Sequence, residues 1–346
     1  MLGDEDPMRL PPGRARLSDV ARLAGVSAKT VSRVITGHHN VSPSTRERVL
    51  EAAQRLRFRP NHLARDLRQG GVSRTVAFVM GDLKNPFYSH VAAGIERFLA
   101  EHGLTMVLAA TGDDPAQEAR VVGAMLERRV HSLLLVPIAG DQSYLAGEQQ
   151  LGTPVICIDR PAHNLAADSV VFANRAGAAE AVQSLLAHGH RRIAFIGSAM
   201  YTHDERLAGY RQALLEAGVA AVPQWERQDA VTAADAERVV RELLAGPVTP
   251  TAILAGNNRV STGVLRALRD VPQQVAFIGF DDFDLADTLG VTVVTHDPER
   301  MGREAVSLAI ARSSDLYGPP LQTVIPTQLV LRGSGEVPPD PASLVR

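Results

Sequence analysis

A polar face between residues 28 and 36 carries side chains that can hydrogen-bond to nucleic acid. If this segment is helical, residues three and four positions apart lie on one side of it. The outer side is then formed by Ala28, Lys29, Ser32, Arg33 and Thr36. Arg and Lys donate to the O6 and N7 atoms of guanine, and a small apolar side chain can contact a thymine methyl group. We therefore predict base contacts from Lys29 and Arg33 and an apolar contact from Ala28.

Phosphate contacts are predicted for hydroxyl groups around the same helix. Ser27 stands at the N-cap position, which leaves the positive end of the helix pointing outward. Ser27, Thr30, Ser32 and the start of the next helix are then placed to bind phosphate oxygens, which set register but carry no sequence information.

Two neighbouring helices must hold this polar face in position. Residues 18–24 form the first, and residues 43–56 form the third, with Ser42 as N-cap and Pro43 at the first helical position. A three-residue turn with Gly25 joins the first helix to the second, which indicates a helix-turn-helix. The predicted core consists of Val20, Ala21, Leu23, Ala24, Val31, Val34, Ile35, Val49, Ala53 and Leu56.

Charge supports a nucleic-acid partner for this segment. Residues 14–69 contain twelve Lys or Arg and four acidic residues, a net charge of +8. The whole chain has a formal charge of −2, so the remainder carries −10. Neutralisation of phosphates by basic side chains drives non-specific DNA affinity. The alternative, a merely solvated basic face, does not explain why the charge coincides with the helical pattern.

At this point the sequence resembles a known family. DVARLAGVSAKTVSRV, VSPSTRERVLEAAQRLRFRPNHLARDL and the residues between them match the DNA-binding headpiece and hinge of the LacI/GalR family almost position for position, with Phe58 in place of the usual Tyr. The resemblance implies a hinge helix from Asn61 that forms on operator DNA and inserts Leu67 into the minor groove. Packing of Leu67 on the core is the alternative.

From Thr75 onward the pattern is that of an α/β protein. Apolar runs alternate with amphipathic helices, and the alternation starts again near residue 169. Uninterrupted Val, Ile and Leu runs between helices indicate parallel sheets covered on both faces. We predict an all-α helix-turn-helix domain followed by an α/β body of two Rossmann-like lobes, as in periplasmic binding proteins. Ligands of such sheets bind beyond the carboxyl ends of the strands.

The predicted boundaries follow from these patterns and the resemblance, which covers roughly residues 16–334. They are a disordered arm (1–15), the headpiece (16–60), the hinge and linker (61–73), the first lobe (74–160 and 293–321), the second lobe (161–292 and 322–334) and a disordered tail (335–346).

The resemblance also implies a set of effector-binding residues at strand ends. Phe87 and Tyr88 match positions that pack on the ligand, and Asn257 and Asp281 match positions that hydrogen-bond it. Core packing is the alternative for the two aromatic residues, and helix capping or interlobe contact is the alternative for Asp281. Arg206 keeps the second Arg of an Arg-x-Arg motif, whereas Asp204 replaces the first. We therefore expect Asp204 to favour a hydroxyl-rich or cationic ligand.

Several other classes of function are disfavoured. GxGxxG and P-loop motifs are absent, and no nucleophile and base can be paired, so no catalytic residue and no cofactor is expected. Cys157 lies in an apolar run typical of a buried strand. His38-His39 and His188-Gly189-His190 lack carboxylate or Cys partners at ligand spacing, so no metal is expected. An N-terminal signal peptide and a run of about 20 apolar residues are also absent, which predicts a cytoplasmic protein.

The sequence therefore predicts a homodimeric transcriptional regulator, most simply a repressor of a carbohydrate or related catabolic operon. It would bind a pseudo-palindromic operator and be controlled by a sugar, a sugar derivative or a nucleoside between the lobes. A solute-binding protein and an enzyme acting on a sugar or nucleotide are the competing classes. Neither explains residues 17–67.

Overall fold

The computed structural model describes residues 15–37, 40–59, 73–271 and 274–340. The chain divides into two compact units, Met1–Ser73 and Arg74–Arg346. The first unit spans the predicted arm, headpiece, hinge and linker, and the second spans the predicted lobes and tail.

The headpiece contains three short helices around a small apolar core. They are α1 (Leu17–Ala24), α2 (Ala28–Ile35) and α3 (Pro43–Arg55). The buried residues are Val20, Ala21, Ala24, Val31, Val34, Val49, Ala52 and Ala53. The prediction was wrong for Leu23, which is 38% exposed, because it lies on the outer side of α1.

The first sheet of the body is parallel and has six strands in the order β11-β5-β4-β3-β1-β2. These strands are β1 (Thr75–Met80), β2 (Thr105–Ala110), β3 (Ser132–Leu135), β4 (Val155–Ile158), β5 (Asp168–Phe172) and β11 (Gln322–Ile325). Strands β1, β3, β4 and β5 are almost entirely buried, whereas the two edge strands, β2 and β11, are partly exposed. Burial of the inner strands is expected where helices cover both faces of a sheet.

The second sheet has the order β12-β10-β9-β8-β6-β7 and is parallel except for the edge strand β12. Its strands are β6 (Ile193–Ile196), β7 (Glu226–Arg227), β8 (Ala252–Ala255), β9 (Ala276–Phe280), β10 (Thr292–Thr295) and β12 (Gln328–Val330).

Helices connect the strands and cover both sheets. In the first lobe these are α4 (Pro86–Glu101), α5 (Pro115–Leu126), a 3-10 turn (Ser143–Leu145), α6 (Ala146–Gln150) and α11 (Pro298–Ser314). In the second lobe they are α7 (Asn174–Ala187), α8 (Tyr201–Glu216), a 3-10 turn (Pro223–Trp225), α9 (Ala233–Leu244) and α10 (Asn258–Leu268). Helices α7 and α8 approach each other so closely at Gly209 that a Cβ atom there would lie 2.1 Å from the carbonyl oxygen of Arg175.

The predicted lobe boundaries need correction at three strands. Strand β5, which we expected in the second lobe, pairs with β4 in the first sheet. Residues 322–334, which we expected in the second lobe, contain β11 of the first sheet as well as β12 of the second. Strand β10 belongs to the second sheet. An apolar run indicates a buried strand but carries no information about its neighbour in space, so these assignments were beyond the sequence.

The chain crosses between the two sheets three times. The crossings lie between β5 and α7, between β10 and α11, and between β11 and β12.

The beginning of the predicted disordered tail is ordered on the second lobe. The carboxylate of Glu336 accepts a hydrogen bond from the hydroxyl of Thr292 (2.9 Å), and the carbonyl oxygen of Val337 lies 2.7 Å from Nε2 of His190. These contacts satisfy buried polar groups of the lobe, which explains why this part of the tail is held. Residues 341–346 and 1–14 lie outside the described residues.

Candidate nucleic-acid interface and ligand cleft

Helix α2 presents the polar face that the sequence predicts. Its apolar side, Val31 and Val34, is buried against the other two helices. Ala28, Lys29, Ser32 and Arg33 are exposed together on the outer side, whereas Thr30 and Thr36 are half-buried.

The hydroxyl groups at the ends of α2 already serve the helix itself. Ser27 is the N-cap, and its Oγ accepts from the backbone N–H of Thr30 at 3.2 Å. It also lies 2.9 Å from the hydroxyl of Thr30. Thr36 donates to the carbonyl oxygen of Ser32 at 2.8 Å. In the contact between the Ser27 and Thr30 hydroxyls only one of the two O–H groups donates, so the other can still donate to a phosphate oxygen.

The turn before α2 depends on a left-handed glycine. Gly25 has φ = 62° and ψ = 40°, and the backbone N–H of Val26 donates to the carbonyl oxygen of Ala21 at 3.0 Å. This conformation ends α1 and sets the direction in which α2 begins. Asn61 and Leu67, the predicted hinge contacts, lie outside the described residues.

A cavity of about 440 Å³ opens between the two lobes of the body. Its walls come from residues that follow β1, β2, β3 and β4 of the first sheet and β6, β7, β8 and β9 of the second. This is the edge where the carboxyl ends of parallel strands meet, which is the usual ligand site of open α/β sheets. The volume lies within the range of small-molecule pockets.

The structure brings five of the six predicted effector residues to this cavity: Phe87, Tyr88, Arg206, Asn257 and Asp281. Tyr88 is also part of the core of the first lobe, with 5% of its surface exposed. It therefore packs in the core, as the alternative proposed, and also lines the cavity. Asn257 caps α10, since its side chain accepts from the backbone N–H of Val260 at 2.9 Å.

Arg206 and Asp281 form a buried ion pair whose closest atoms are 3.1 Å apart. Arg206 also donates through Nε to Asn174 (2.8 Å) and through Nη1 to the carbonyl oxygen of Gly256. Its guanidinium carbon lies 3.7 Å from the centre of the Phe280 ring. Each nitrogen of this guanidinium therefore has a partner, and one face of it is covered by an aromatic ring.

Asp281 receives a second contact from His296, with Nε2 2.9 Å from a carboxylate oxygen. Burial by itself raises the pKa of Asp281, but the Arg206 charge and the His296 hydrogen bond outweigh burial and hold the pKa well below its usual range. Asp281 adopts φ = 65°, a conformation that Asp tolerates better than most residues. The carboxylate is thus a fixed, ionised acceptor.

The structure does not bring Asp204 to the cavity. Asp204 is exposed, and it accepts a hydrogen bond from the amide of Gln228 at 2.8 Å. His203 and Arg206 are three residues apart and share the inner side of α8, whereas Asp204 is turned about 100° from His203. The sequence motif shows the order of these residues but not which of them face the cavity.

His203 is a wall residue that the sequence analysis missed. It is 1% exposed, and its Nδ1 accepts from the backbone N–H of Ser198 at 2.6 Å, which places the ring proton on Nε2. Burial, with a smaller contribution from the charge of Arg206, lowers the pKa of His203 to about 3. The imidazole is therefore neutral at physiological pH. The signal in the sequence that could have identified His203 was its position shortly after the end of β6.

Two polar contacts join the lobes beside the cavity. The guanidinium of Arg259, after β8, forms an ion pair with Asp82, after β1, and lies 3.8 Å from Asp113. The side-chain amide of Asn258 donates to Asn85 at 3.1 Å. The sequence analysis missed these residues as well, because Arg259 and Asp82, and likewise Asn258 and Asn85, are separated by more than 170 positions.

A buried carboxylate fixes one wall of the cavity. Glu118 is fully buried in the first turn of α5, where the helix dipole favours negative charge. It accepts from the backbone N–H groups of Ile138 and Ala139, both in the wall, and from the hydroxyl of Tyr144 at 2.9 Å. Gln142 donates to it as well, at 3.0 Å.

Within the ranges that the structure describes, no three His, Cys, Asp or Glu side chains form a group that could hold a metal ion. His38 and His39 lie outside those ranges. Over the same ranges, no helix has the length and apolar character needed to span a membrane. Cys157 is buried in β4, and burial raises the pKa of its thiol to about 12. The thiol therefore stays protonated, which is the unreactive form.

Comparisons with known proteins cover both the headpiece and the body. The model of bacterial regulatory proteins of the lacI family matches residues 16–61, and that of a periplasmic binding protein-like domain matches residues 182–335. The HTH-type transcriptional regulator CelR of Thermobifida fusca is 34% identical over 341 residues, which are 93% of this chain and 98% of CelR. The ribose operon repressor of Escherichia coli K12 is 33% identical over 307 residues, 86% of this chain and 93% of the repressor.

Solved structures give the same result. A complex of the regulator CelR with cellobiose is 32% identical and superposes with a TM-score of 0.69 over 93% of this chain and 100% of that chain. A lac repressor dimer bound to operator and the anti-inducer ONPF is 25% identical, with a TM-score of 0.83 over 94% of this chain and 100% of that chain. With its helix-turn-helix headpiece and two-lobed body, the chain belongs to the LacI family of bacterial transcriptional regulators and is not an enzyme.

Proposed function

We propose that this chain is a homodimeric repressor of a carbohydrate or related catabolic operon, which it controls from the cytoplasm in response to a small molecule bound between its lobes. The observation that carries the proposal is the presence, in one chain, of an exposed basic reading face on α2 and a 440 Å³ interlobe cavity. A solute-binding protein or a sugar-modifying enzyme would have no use for the first of these.

On operator DNA, Lys29 and Arg33 hydrogen-bond to base edges, and Ala28 supplies an apolar contact. The exposure of all three side chains on one face of α2 supports these roles. Ser27, Thr30, Ser32 and Thr36 contact phosphates or set the register of α2. Asn61 and Leu67 act in the hinge, with Leu67 inserted at the central base step to bend the duplex.

The effector binds against Phe87 and Tyr88 and hydrogen-bonds to Asn257 and Asp281, and Arg206 holds Asp281 in place. The complex of CelR with cellobiose and the names of the ribose operon repressors favour a sugar. Binding changes the angle between lobes and thereby the spacing of the two hinge segments in the dimer. Ligand and DNA then influence each other's affinity by the same factor.

The test is selection of binding sites from a random DNA library by the full chain. We expect enrichment of a pseudo-palindrome, because operator symmetry mirrors the symmetry of a dimer. Arg33→Ala should cost about 1–3 kcal/mol and relax preference at one base pair of each half-site. The matched control is Arg55→Ala, which removes the same charge from α3. Enrichment of no sequence would refute the proposal, whereas a loss for Arg33→Ala that is equal on every sequence would show that Arg33 contacts a phosphate instead of a base.

A further inference from the structure

Two polar contacts connect the first lobe to the second at the ends of their strands. The guanidinium of Arg259 forms an ion pair with the carboxylate of Asp82, and the side-chain amide of Asn258 donates to Asn85 at 3.1 Å. Asp82 and Asn85 lie between β1 and α4, whereas Asn258 and Arg259 begin α10, shortly after β8. Both contacts therefore join the start of α4 to the start of α10, and both must break if the lobes separate there.

The first-lobe partners of these contacts are held in position by their own loop. One carboxylate oxygen of Asp82 accepts from the backbone N–H of Lys84 at 2.9 Å, and the side chain of Asn85 accepts from the backbone N–H of Phe87 at 3.1 Å. The Lys84 N–H and the Arg259 guanidinium together outweigh burial and hold the pKa of Asp82 below its usual range. Arg259 thus meets an ionised and pre-positioned carboxylate, which loses little conformational freedom in the contact.

A second carboxylate of the first lobe lies near the same guanidinium. Asp113, after β2, is 3.8 Å from Arg259. Burial raises the pKa of Asp113, and the charge of Arg259 opposes this effect. Arg259 and Asp113 line the cavity, whereas Asp82 is not part of its wall. The ion pair can therefore be broken at Asp82 without a change in the lining of the cavity.

Other ion pairs of the body connect elements of a single lobe. Arg97 pairs with Glu299 between α4 and α11 of the first lobe at 2.8 Å, and Arg175 pairs with Glu205 between α7 and α8 of the second lobe at 2.9 Å. These pairs are unaffected when the lobes move as rigid bodies. The chain crossings are linkers about which such a hinge movement can open or close the cavity.

We propose that Arg259 and Asp82 form an electrostatic latch, which holds the two lobes closed over the cavity and sets how often the cavity opens. The two side chains are 26% and 25% exposed, so opening returns both charges to water and salt weakens the attraction between them. The latch itself goes beyond the proposed function. Its regulatory consequence rests on that function, in which the angle between the lobes sets the spacing of the hinge segments.

The test measures how often the cavity opens, through the reaction of a cysteine in its wall with a bulky maleimide on the full chain. Thr202→Cys places the thiol at a side chain that lines the cavity and is only 3% exposed. When opening and closing are fast, the labelling rate follows the population of the open state. The native Cys157 contributes little background, because it is buried and its pKa is raised to about 12.

Asp82→Asn keeps an oxygen for the backbone N–H of Lys84 but removes the charge that faces Arg259. We expect this variant to raise the labelling rate about two- to fivefold at low salt, the range that a partly exposed ion pair supports. Arg259→Gln should raise the rate by at least as much. The double variant should be no faster than the faster single variant, because both changes break the same contact. Raising NaCl from about 50 mM to about 500 mM should increase the rate in the wild-type background but not in Asp82→Asn.

Three further variants and measurements protect this result. Arg97→Gln is the matched control, because it breaks an ion pair within the first lobe, and it should leave the rate unchanged. Labelling of Cys157 in Asp82→Asn without the added cysteine should stay as slow as in the wild type, which excludes a general loss of stability. Ala139→Cys, in the first-lobe wall of the cavity, replaces Thr202→Cys if that variant does not fold.

Unchanged rates in both Asp82→Asn and Arg259→Gln would overturn the latch. Effects that multiply in the double variant, or a parallel rise in the labelling of Cys157, would also overturn it. Neither DNA nor an effector takes part in this measurement, whereas the proposed function is tested by operator selection. Failure of the inference and failure of the proposed function are therefore distinguishable.

Discussion

Acidification should destabilise the body through His203. This side chain is buried beside the Arg206 guanidinium, and its Nδ1 is occupied as an acceptor, so the folded protein resists binding a second ring proton there. In the unfolded chain the imidazole titrates normally, with a pKa of about 6.5. Below that value the unfolded state binds more protons than the folded state, so stability falls as the pH falls. Above it the stabilising contribution of the neutral ring is complete.

The magnitude follows from the two pKa values, about 3 in the folded chain and about 6.5 in the unfolded chain. Integration of the difference in bound protons between about pH 7.5 and about pH 5.0 gives a loss of about 2 kcal/mol in the free energy of unfolding. The loss is nearly the same for any folded pKa below about 4, because at pH 5.0 the folded imidazole is then still neutral.

The assay is urea unfolding of the full chain at both pH values, followed by the fluorescence of Trp225, which is in the same lobe as His203. The comparison variant is His203→Asn, because the Asn oxygen can accept from Ser198 in place of Nδ1 but does not titrate. The wild type should lose about 2 kcal/mol more than the variant between the two pH values. His190, whose pKa burial also lowers, is present in both proteins and cancels. Equal losses in the two proteins would refute the reasoning.

Three further changes test other parts of the structure. Gly25→Ala should destabilise the headpiece by about 1–2 kcal/mol, since φ is 62° there, and would be seen as faster amide exchange across residues 17–55. Glu118→Gln should cost about 1–3 kcal/mol, because the new amide places a donor among donors; exchange of the Ile138 and Ala139 amides would rise, and unchanged exchange would argue against the role of Glu118. Gly209→Ala should lower the melting temperature strongly, since its methyl group meets a backbone oxygen, whereas Gly123→Ala, with open space around it, should not.

The local structure could be predicted well from sequence because its signals are local. The apolar runs at 75–80 and 105–110 coincide with β1 and β2, and Ser27, Ser42 and Pro43 mark the starts of α2 and α3 as their capping chemistry requires. Assignment of β5, β10 and β11 to a sheet was wrong, because strand neighbours are chosen by long-range packing that an apolar run does not encode.

The candidate site was predictable only where a residue follows a recognisable strand or motif. Phe87, Asn257 and Asp281 meet that condition and line the cavity. Arg160 and His203 follow strands too, but their role depends on partners and on burial that appear only in three dimensions. Asp204 matched a motif position and lies outside the cavity, because a one-residue difference on a helix changes the direction of a side chain.

The three crossings between the sheets have a consequence for how the protein is synthesised. The last strands to be made, β11 and β12, complete the edges of the first and second sheets respectively, and α11 supplies Met301, Ala305 and Val306 to the core of the first lobe. A nascent chain that has reached only residue 297 thus contains five strands of the first sheet, with one apolar face covered by α4 but not yet by α11. Each lobe receives its last edge strand from this same final segment. We expect ribosome-bound chains and late truncations to be the forms most in need of chaperones, since exposed apolar sheet faces promote aggregation.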